Sequence, residues 1–202
     1  MQLVAERLSG ERGGEMLFSG LNFTIRSGEA LLVTGPNGIG KSTLLRIAAG
    51  LLRPAEGALH LEGKSAEYDS LGSASHFLGH LNAMKPALTL EENLHFWQSF
   101  CGIGKRTVLH ALEMVGLADI GHLPFGYLST GQKRRASIAR LLVSDRPVWL
   151  LDEPTAGLDK DSEAQFSEFM QAHLADGGIV MAATHLPLGL PHSRELTLGA
   201  FV

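Results

Sequence analysis

The chain has 202 residues, 45% hydrophobic and 19% charged, which is enough apolar material for one compact core or a core with a smaller lobe. A formal net charge of −4 argues against a general nucleic-acid binder, and a single cysteine, Cys101, excludes a disulfide framework or a cysteine-based zinc site. Glycine is in excess at 24 residues, about 12% against a usual level near 7%. With 8 prolines and no G-X-Y period, that excess is neither collagen nor linker, and it points to tight turns or to backbone approaching a ligand. No apolar run approaches the roughly 18 residues of a membrane span. The start, Met1-Gln2-Leu3-Val4-Ala5-Glu6-Arg7, has no signal-peptide pattern. The expectation is a soluble protein of a reducing compartment, with any membrane part supplied by another chain.

In chain order, the first thirty residues read as two short strands, the second over residues 17–25 ahead of the turn Ser27-Gly28-Glu29. Residues 30–34 are a short apolar run, as for a strand buried on both faces. A glycine-rich loop follows, then a helical pattern with Leu44, Leu45, Ile47, Ala48, Leu51 and Leu52 on its buried side, ended by Pro54. Residues 58–63 read as a strand. Helical spacing covers residues 90–100, 106–115 and 131–143 with no strand between them. Residues 148–151 and 179–183 read as buried strands separated by a helix over 162–174. The expected architecture is α/β. A mostly parallel core sheet, with a small N-terminal antiparallel part, comes from residues 1–84 and 146–202, and a helical lobe, 85–145, is inserted within one domain spanning 1–202.

Gly35-Pro36-Asn37-Gly38-Ile39-Gly40-Lys41-Ser42-Thr43 fits the P-loop pattern G-x-x-x-x-G-K-[ST] and sits between a strand and a helix. Glycines let successive N–H groups turn inward around phosphate oxygens, and the helix N-terminus behind them adds partial positive charge. Lys41 is suited to the β- and γ-phosphates and the Ser42 hydroxyl to Mg²⁺. The spacing is not G-x-G-x-x-G, so a Rossmann dinucleotide site is not supported. Further on, Val148-Trp149-Leu150-Leu151-Asp152-Glu153 ends an apolar strand in two carboxylates. Asp152 is placed as the Mg²⁺ partner and Glu153 as the general base for an attacking water. Without the P-loop, the same pair reads equally well as a solvated acidic turn.

Leu128-Ser129-Thr130-Gly131-Gln132 carries S-x-x-Q, on its own a helix capping box. A Ser and a Gly at a helix N-terminus also make a small anion site, and the distance from Ser129 to Asp152 is that of one ATPase family. The chain resembles the ABC ATPases over nearly its whole length. The string 128–132 resembles their LSGGQ signature, with Thr130 for one Gly. Asp152-Glu153-Pro154-Thr155-Ala156-Gly157-Leu158-Asp159 resembles the Walker B end running into the D-loop, and Thr184-His185 resembles the switch histidine.

The resemblance implies a P-loop ATPase of ABC type that binds ATP and Mg²⁺ and works as a head-to-tail dimer. Each ATP would then lie between the P-loop of one copy and Ser129, Gly131 and Gln132 of the other. His185 would contact the γ-phosphate and Asp159 would help join the two sites. Two positions depart from the family pattern. Arg12 stands where most members place an aromatic to stack on adenine; a guanidinium can stack on a purine, and an ordinary exposed loop residue is an equal reading. His80, after Phe77-Leu78-Gly79, stands where the family's Q-loop has Gln; its imidazole could accept from water or Mg²⁺-bound water and so couple nucleotide to membrane.

Softer strings carry the resemblance further, toward the ATP-binding subunits of the haem exporter in bacterial cytochrome c maturation. They are Leu78-Gly79-His80, Glu92-Asn93-Leu94-His95-Phe96-Trp97, Gln132-Lys133-Arg134-Arg135 and the stretch 177–188. Those subunits imply a multi-span membrane partner and, indirectly, further maturation proteins and a periplasmic haem chaperone. They also imply a peripheral position on the cytoplasmic face of the inner membrane and no nucleic acid. An ABC ATPase for another small cargo, or a soluble one acting on nucleic acid or ribosomes, are the alternatives. The short helical insertion, the single motif set and the acidic charge oppose the last, and a small-molecule kinase leaves 128–132 and His185 unexplained. With only a short stretch after His185, the expectation is that no regulatory C-terminal domain is present. His60, His76, His95, His110, His122, His173 and His192 show no metal-ligand spacing. Lys133, Arg134, Arg135 and Arg140 read as a solvated helix face. Leu94, Phe96, Trp97 and Phe100 read as lobe core, some of them as lining for a helix of the membrane partner.

Overall fold

The computed structural model describes residues 1–63, 68–102 and 104–199, so the last residues of the expected 1–202 domain lie outside it. The described chain falls into two compact units. One comprises Met1–Gly79, Pro147–Pro154 and Phe169–Val202; the other comprises His80–Arg146 and Thr155–Glu168.

The first unit opens with a hairpin of β1 (Gln2–Arg12) and β2 (Glu15–Arg26). Gly13 and Gly14, both at positive φ, close it, as a tight two-residue hairpin turn demands. Then come β3 (Ala30–Thr34), α1 (Lys41–Ala48), β4 (Glu56–Glu62) and β5 (Ser75–Leu78). The second unit's helices α2 (Leu90–Cys101), α3 (Val108–Met114) and α4 (Thr130–Leu142) follow, then β6 (Val148–Asp152) of the first unit, α5 (Lys160–Ala175), whose residues 160–168 belong to the second unit, and β7 (Ile179–Ala183) and β8 (Arg194–Thr197) of the first. The strands form a three-stranded antiparallel sheet ordered β2-β1-β4 and a five-stranded parallel sheet ordered β5-β6-β7-β3-β8.

The α/β reading with its parallel core and antiparallel N-terminal part holds; some elements differ. The N-terminal strands are long, 11 and 12 residues rather than short. Register shifts between Ala5 and Leu8, Leu8 and Gly10, and Gly10 and Glu11 explain the difference. Each bulge flips which side chains face the core, so no period of two persists in the sequence. Strands β5 and β8 carry no sequence signal of their own: β5 is four residues, and β8 is an edge strand with the polar sequence Arg-Glu-Leu-Thr. Helix α1 stops at Ala48, and Gly50 at φ +71 turns the chain. Leu51 and Leu52 therefore lie beyond the helix, 61% and 42% exposed, rather than on its buried side.

Leu3, Leu8, Phe18 and Ile25 of the antiparallel sheet, Leu44, Leu45 and Ala48 of α1, and Val148, Leu150, Ile179 and Met181 of the parallel sheet form one apolar cluster. In the second unit, Leu90, Leu94, Ala111, Leu112, Leu128, Ala136 and Ala139 are buried. Capping boxes open both α2 (Thr89 with Glu92) and α4 (Ser129 with Gln132). Buried Asn93 accepts from Lys85 N–H at 2.7 Å and donates to the Thr89 carbonyl at 2.9 Å, tying the 85–89 loop to α2. Leu94 is core as expected, but Phe96 and Phe100 are 46% and 68% exposed and stack on one another at 6.0 Å. Trp97 meets both edge-on.

Where β4 begins, Gly57 sits at φ +74, and a Cβ there would run into the carbonyl oxygens of Glu6 and Arg7 at the bulge of β1. Both φ and contact exclude an L side chain, so Gly57→Ala should destabilise the chain by about 2 kcal/mol or more. Thermal unfolding should show the midpoint several degrees lower, and an unchanged midpoint would contradict this packing.

Candidate functional site

Three neighbouring parallel strands bring the chemistry of the first unit to one edge. Val33 of β3 and Asp152 of β6 both pair with Ala183 of β7, so the three carboxyl ends stand level. The segments leaving these strands are thereby brought together: the P-loop after β3, Glu153 after β6, and Thr184-His185 after β7. Ligands of open α/β sheets gather at such carboxyl ends.

The loop's geometry depends on glycine at Gly35, Gly38 and Gly40, with φ of +132, +83 and +111. At Gly35 a Cβ would also come within 2.5 Å of the Leu198 carbonyl oxygen, so β8's end fills the space behind the loop. Gly40 is the N-cap of α1 and brings no side chain, which leaves the first-turn N–H groups facing outward for an anion. Lys41 is buried, and its Nζ donates to the carbonyls of Gly35 at 2.6 Å and Pro36 at 3.0 Å. His185 Nε2 lies 3.0 Å from Lys41 Nζ, 2.8 Å from Asn37 Oδ1 and 3.6 Å from Glu153 Oε1.

Ser42 Oγ donates to Asp152 Oδ1 at 3.0 Å. Asp152 is 2% exposed, and a hydroxyl and a carboxylate in contact are the hard oxygen donors Mg²⁺ selects. Among the described residues no group of three or more His, Cys, Asp or Glu could hold a metal ion. The donors suited to Mg²⁺ here are thus Ser42 and Asp152, with phosphate and water to complete the shell. Glu153 is held at φ +45 by its N–H donating to the Ala183 carbonyl at 2.9 Å. A glutamate in the left-handed region is strained, and the strain turns its side chain off the strand's alternation, beside His185.

The remaining sequence-derived candidates have these surroundings of their own. Arg12 ends β1, exposed and in register with Glu15. His80, also exposed, is the first residue of the second unit. Within that unit, Ser129 Oγ accepts from Gln132 N–H at 3.3 Å, and Gln132 Oε1 accepts from Ser129 N–H at 2.8 Å. Gly131 faces Gly157, whose carbonyl oxygen would lie 3.5 Å from a Cβ added there. Asp159 accepts from Ser162 N–H at 2.8 Å, and these bonds from Ser162 hold its carboxyl below the usual range.

One reading is overturned. Lys133, Arg134, Arg135 and Arg140 do not form a solvated face. Arg134 and Arg140 are 6% and 4% exposed, and Arg135 donates to the Val115 carbonyl at 3.0 Å. Lys133 donates to the Gly126 carbonyl at 3.1 Å. The Arg140 guanidinium lies 4.6 Å from the Trp97 ring centre, and burial lowers its pKa to about 10. Arg140 stands between Ile138-Ala139 and Leu141-Leu142, and that apolar flanking was the available signal.

Fold and P-loop together define an ABC-type ATPase, with no described helix long and apolar enough to cross a membrane. The family model of the ABC transporter matches residues 18–156, and the chain belongs to that family. It is 64% identical over 200 residues, 99% of each chain, to the cytochrome c biogenesis ATP-binding export protein CcmA of Chelativorans sp. (strain BNC1). Among solved structures it is similar to an ABC transporter ATP-binding protein from Pyrococcus furiosus, with TM-score 0.83 and 25% identity over 98% of both chains. It is also similar to a dimeric ATP-binding cassette in a post-hydrolysis state bound to ADP and Pi, with TM-score 0.78 and 26% identity over 91% of this chain and 88% of that one.

Losing the Ser129 hydroxyl removes the N-cap acceptor of α4, a change of about 1 kcal/mol. Ser129→Ala should therefore speed amide exchange in the first turn of α4 roughly fivefold, and Ser129→Asp should restore it. Unaltered exchange in Ser129→Ala would show that the cap contributes nothing.

Proposed function

We infer that this chain is the ATP-binding and hydrolysing motor subunit of an export system in c-type cytochrome biogenesis. The observation that carries the chemistry is the set of level strand ends where Lys41, the Ser42–Asp152 pair, Glu153 and His185 converge. The similarity to the cytochrome c biogenesis export protein over nearly the whole chain supports the biological setting. We propose haem as the cargo, delivered to or released from a periplasmic haem chaperone. We further propose a peripheral seat on the cytoplasmic face of the inner membrane and 1–202 as one ABC ATPase domain.

The roles proposed for Lys41, Ser42, Asp152, Glu153 and His185 are supported by their convergence, and those for Ser129, Gly131, Gln132, Asp159, Arg12 and His80 by the family resemblance alone. The P-loop amides of residues 35–43 and Lys41 bind the ATP phosphates. Ser42 and Asp152 hold Mg²⁺, which neutralises charge on the β- and γ-phosphates when bound. Glu153 takes the proton of the attacking water as the new O–P bond forms and the bond to the β-phosphate oxygen breaks, with ADP leaving. His185 contacts the γ-phosphate. A second copy packs head-to-tail, its Ser129, Gly131 and Gln132 closing over the nucleotide and its Asp159 joining the sites; the similar cassette bound to ADP and Pi is itself dimeric. Arg12 stacks on adenine. His80 relays nucleotide state to the multi-span membrane subunit, whose docking helix meets exposed Phe96 and Phe100.

Glu153→Gln should keep ATP binding and ATP-driven dimerisation while turnover falls at least about 10²-fold; normal turnover would refute its role as base. Lys41→Ala should lose nucleotide affinity by calorimetry, and unaltered affinity would overturn the P-loop assignment. Deleting the gene should remove c-type cytochromes alone, whereas loss of another exported product would redirect the cargo.

A further inference from the structure

Lys41 Nζ carries three N–H bonds, and each meets an acceptor of this chain: the Gly35 carbonyl at 2.6 Å, the Pro36 carbonyl at 3.0 Å and His185 Nε2 at 3.0 Å. Carbonyl oxygens only accept, so the lysine is a donor in all three directions. For the Lys41 ammonium to donate to Nε2, that nitrogen presents its lone pair and the imidazole carries its proton on Nδ1. Asn37 reaches the same nitrogen, with Oδ1 placed 2.8 Å away. Nε2 has one in-plane position, for a proton or a lone pair, so it either accepts from Lys41 or donates to Asn37 Oδ1, and the first is the arrangement a bond from Lys41 requires. Glu153 Oε1, at 3.6 Å, is too far to bond to Nε2 strongly.

We propose that His185 is a latch on the P-loop lysine, completing Lys41's donor set so that an incoming β-phosphate must displace it. This rests on the nucleotide site of the proposed function and adds to it a role that precedes any γ-phosphate contact. His185 acts here through Lys41 as a positioning residue. Displacement releases both groups together, so that binding of a diphosphate moiety itself sets His185 loose for its next partner. A histidine that serves only the γ-phosphate has no effect on ADP, which lacks one; a latch does.

The test is ADP affinity, measured by titration calorimetry on the full chain for wild type, His185→Ala and His185→Gln. Removing the competing acceptor should tighten ADP binding about tenfold in His185→Ala. His185→Gln, which returns an acceptor oxygen, should bind within about twofold of wild type. Equal or weaker ADP binding by His185→Ala overturns the latch. Failure of wild type to bind ADP at all overturns the nucleotide reading beneath it, a distinguishable result. Independently, ¹⁵N spectra of the imidazole in the nucleotide-free protein should place the proton on Nδ1 and show a shifted Nε2 signal on adding ADP. A proton resident on Nε2 contradicts the latch even if the His185 variants prove unstable.

Discussion

Parallel pairing of β3, β7 and β6 in a single register is the constraint on which the rest of the structure depends. A slip of one residue in β6 would turn Asp152 from the Ser42 hydroxyl to the opposite face of the sheet, because side chains alternate with a period of two. The same slip would carry Glu153 away from His185. Strands buried on both faces resist such slips only through packing, and the apolar residues 148–151 and 179–183 supply it. The apolar core and the polar strand ends are therefore one device. Val148, Leu150, Ile179 and Met181 fix the level at which the carboxylates emerge.

Behind the P-loop a second constraint operates through backbone. β8 lies on the far side of β3, its Thr197 level with Thr34, and the chain then passes so close that Gly35 has no room for a side chain. Thr34 Oγ1 donates to Glu195 Oε1 at 2.6 Å, and the Leu198 N–H donates to the Thr34 carbonyl at 2.9 Å. The residue entering the loop is thus held from both ladder and side chain. The loop's own backbone supplies little more than the Ile39 N–H to Pro36 carbonyl bond at 3.4 Å, so the Lys41 ammonium and the neighbouring strand add to its stiffness.

How much the sequence made legible depends on how local each signal is. The P-loop and the apolar strand ending in Asp152-Glu153 are contiguous strings whose chemistry needs their neighbours in the chain, and the structure sets them at strand ends on either side of β7. The capping box of α4 is equally local, and it forms. The edge strand β8 was invisible because an edge needs only one partner and can be polar; its identity lies in Leu31–Thr34, far away in sequence. The hairpin's bulges erased the alternation that would have shown its length. The arginines of α4 mislead because charge is a poor reporter of burial where aromatic faces and carbonyls await it. Arg140 meets the Trp97 ring and Arg135 the end of α3, contacts that no helical wheel contains. Phe96 and Phe100 err in the opposite direction: helical spacing places them in a core, yet only Leu94 and Leu90 of α2 are fully buried among its apolar residues.

Ser129 shows that a helix cap and an anion site need not be competing readings. Its Oγ is engaged as acceptor from the Gln132 N–H, which satisfies one orphan amide of α4. A hydroxyl retains its own O–H after accepting, and a phosphate oxygen needs a donor, not an acceptor. The side chain can therefore cap its helix and donate to an anion at once. Gly131, in the first turn, adds no side chain to crowd that approach, and the exposed Ser129 stands at the positive end of the helix dipole. Gln132 completes the arrangement by accepting from the Ser129 N–H, which fixes the serine backbone instead of reaching outward. In this geometry the glutamine acts by holding the serine backbone, and the exposed Ser129 hydroxyl keeps its own O–H as a donor.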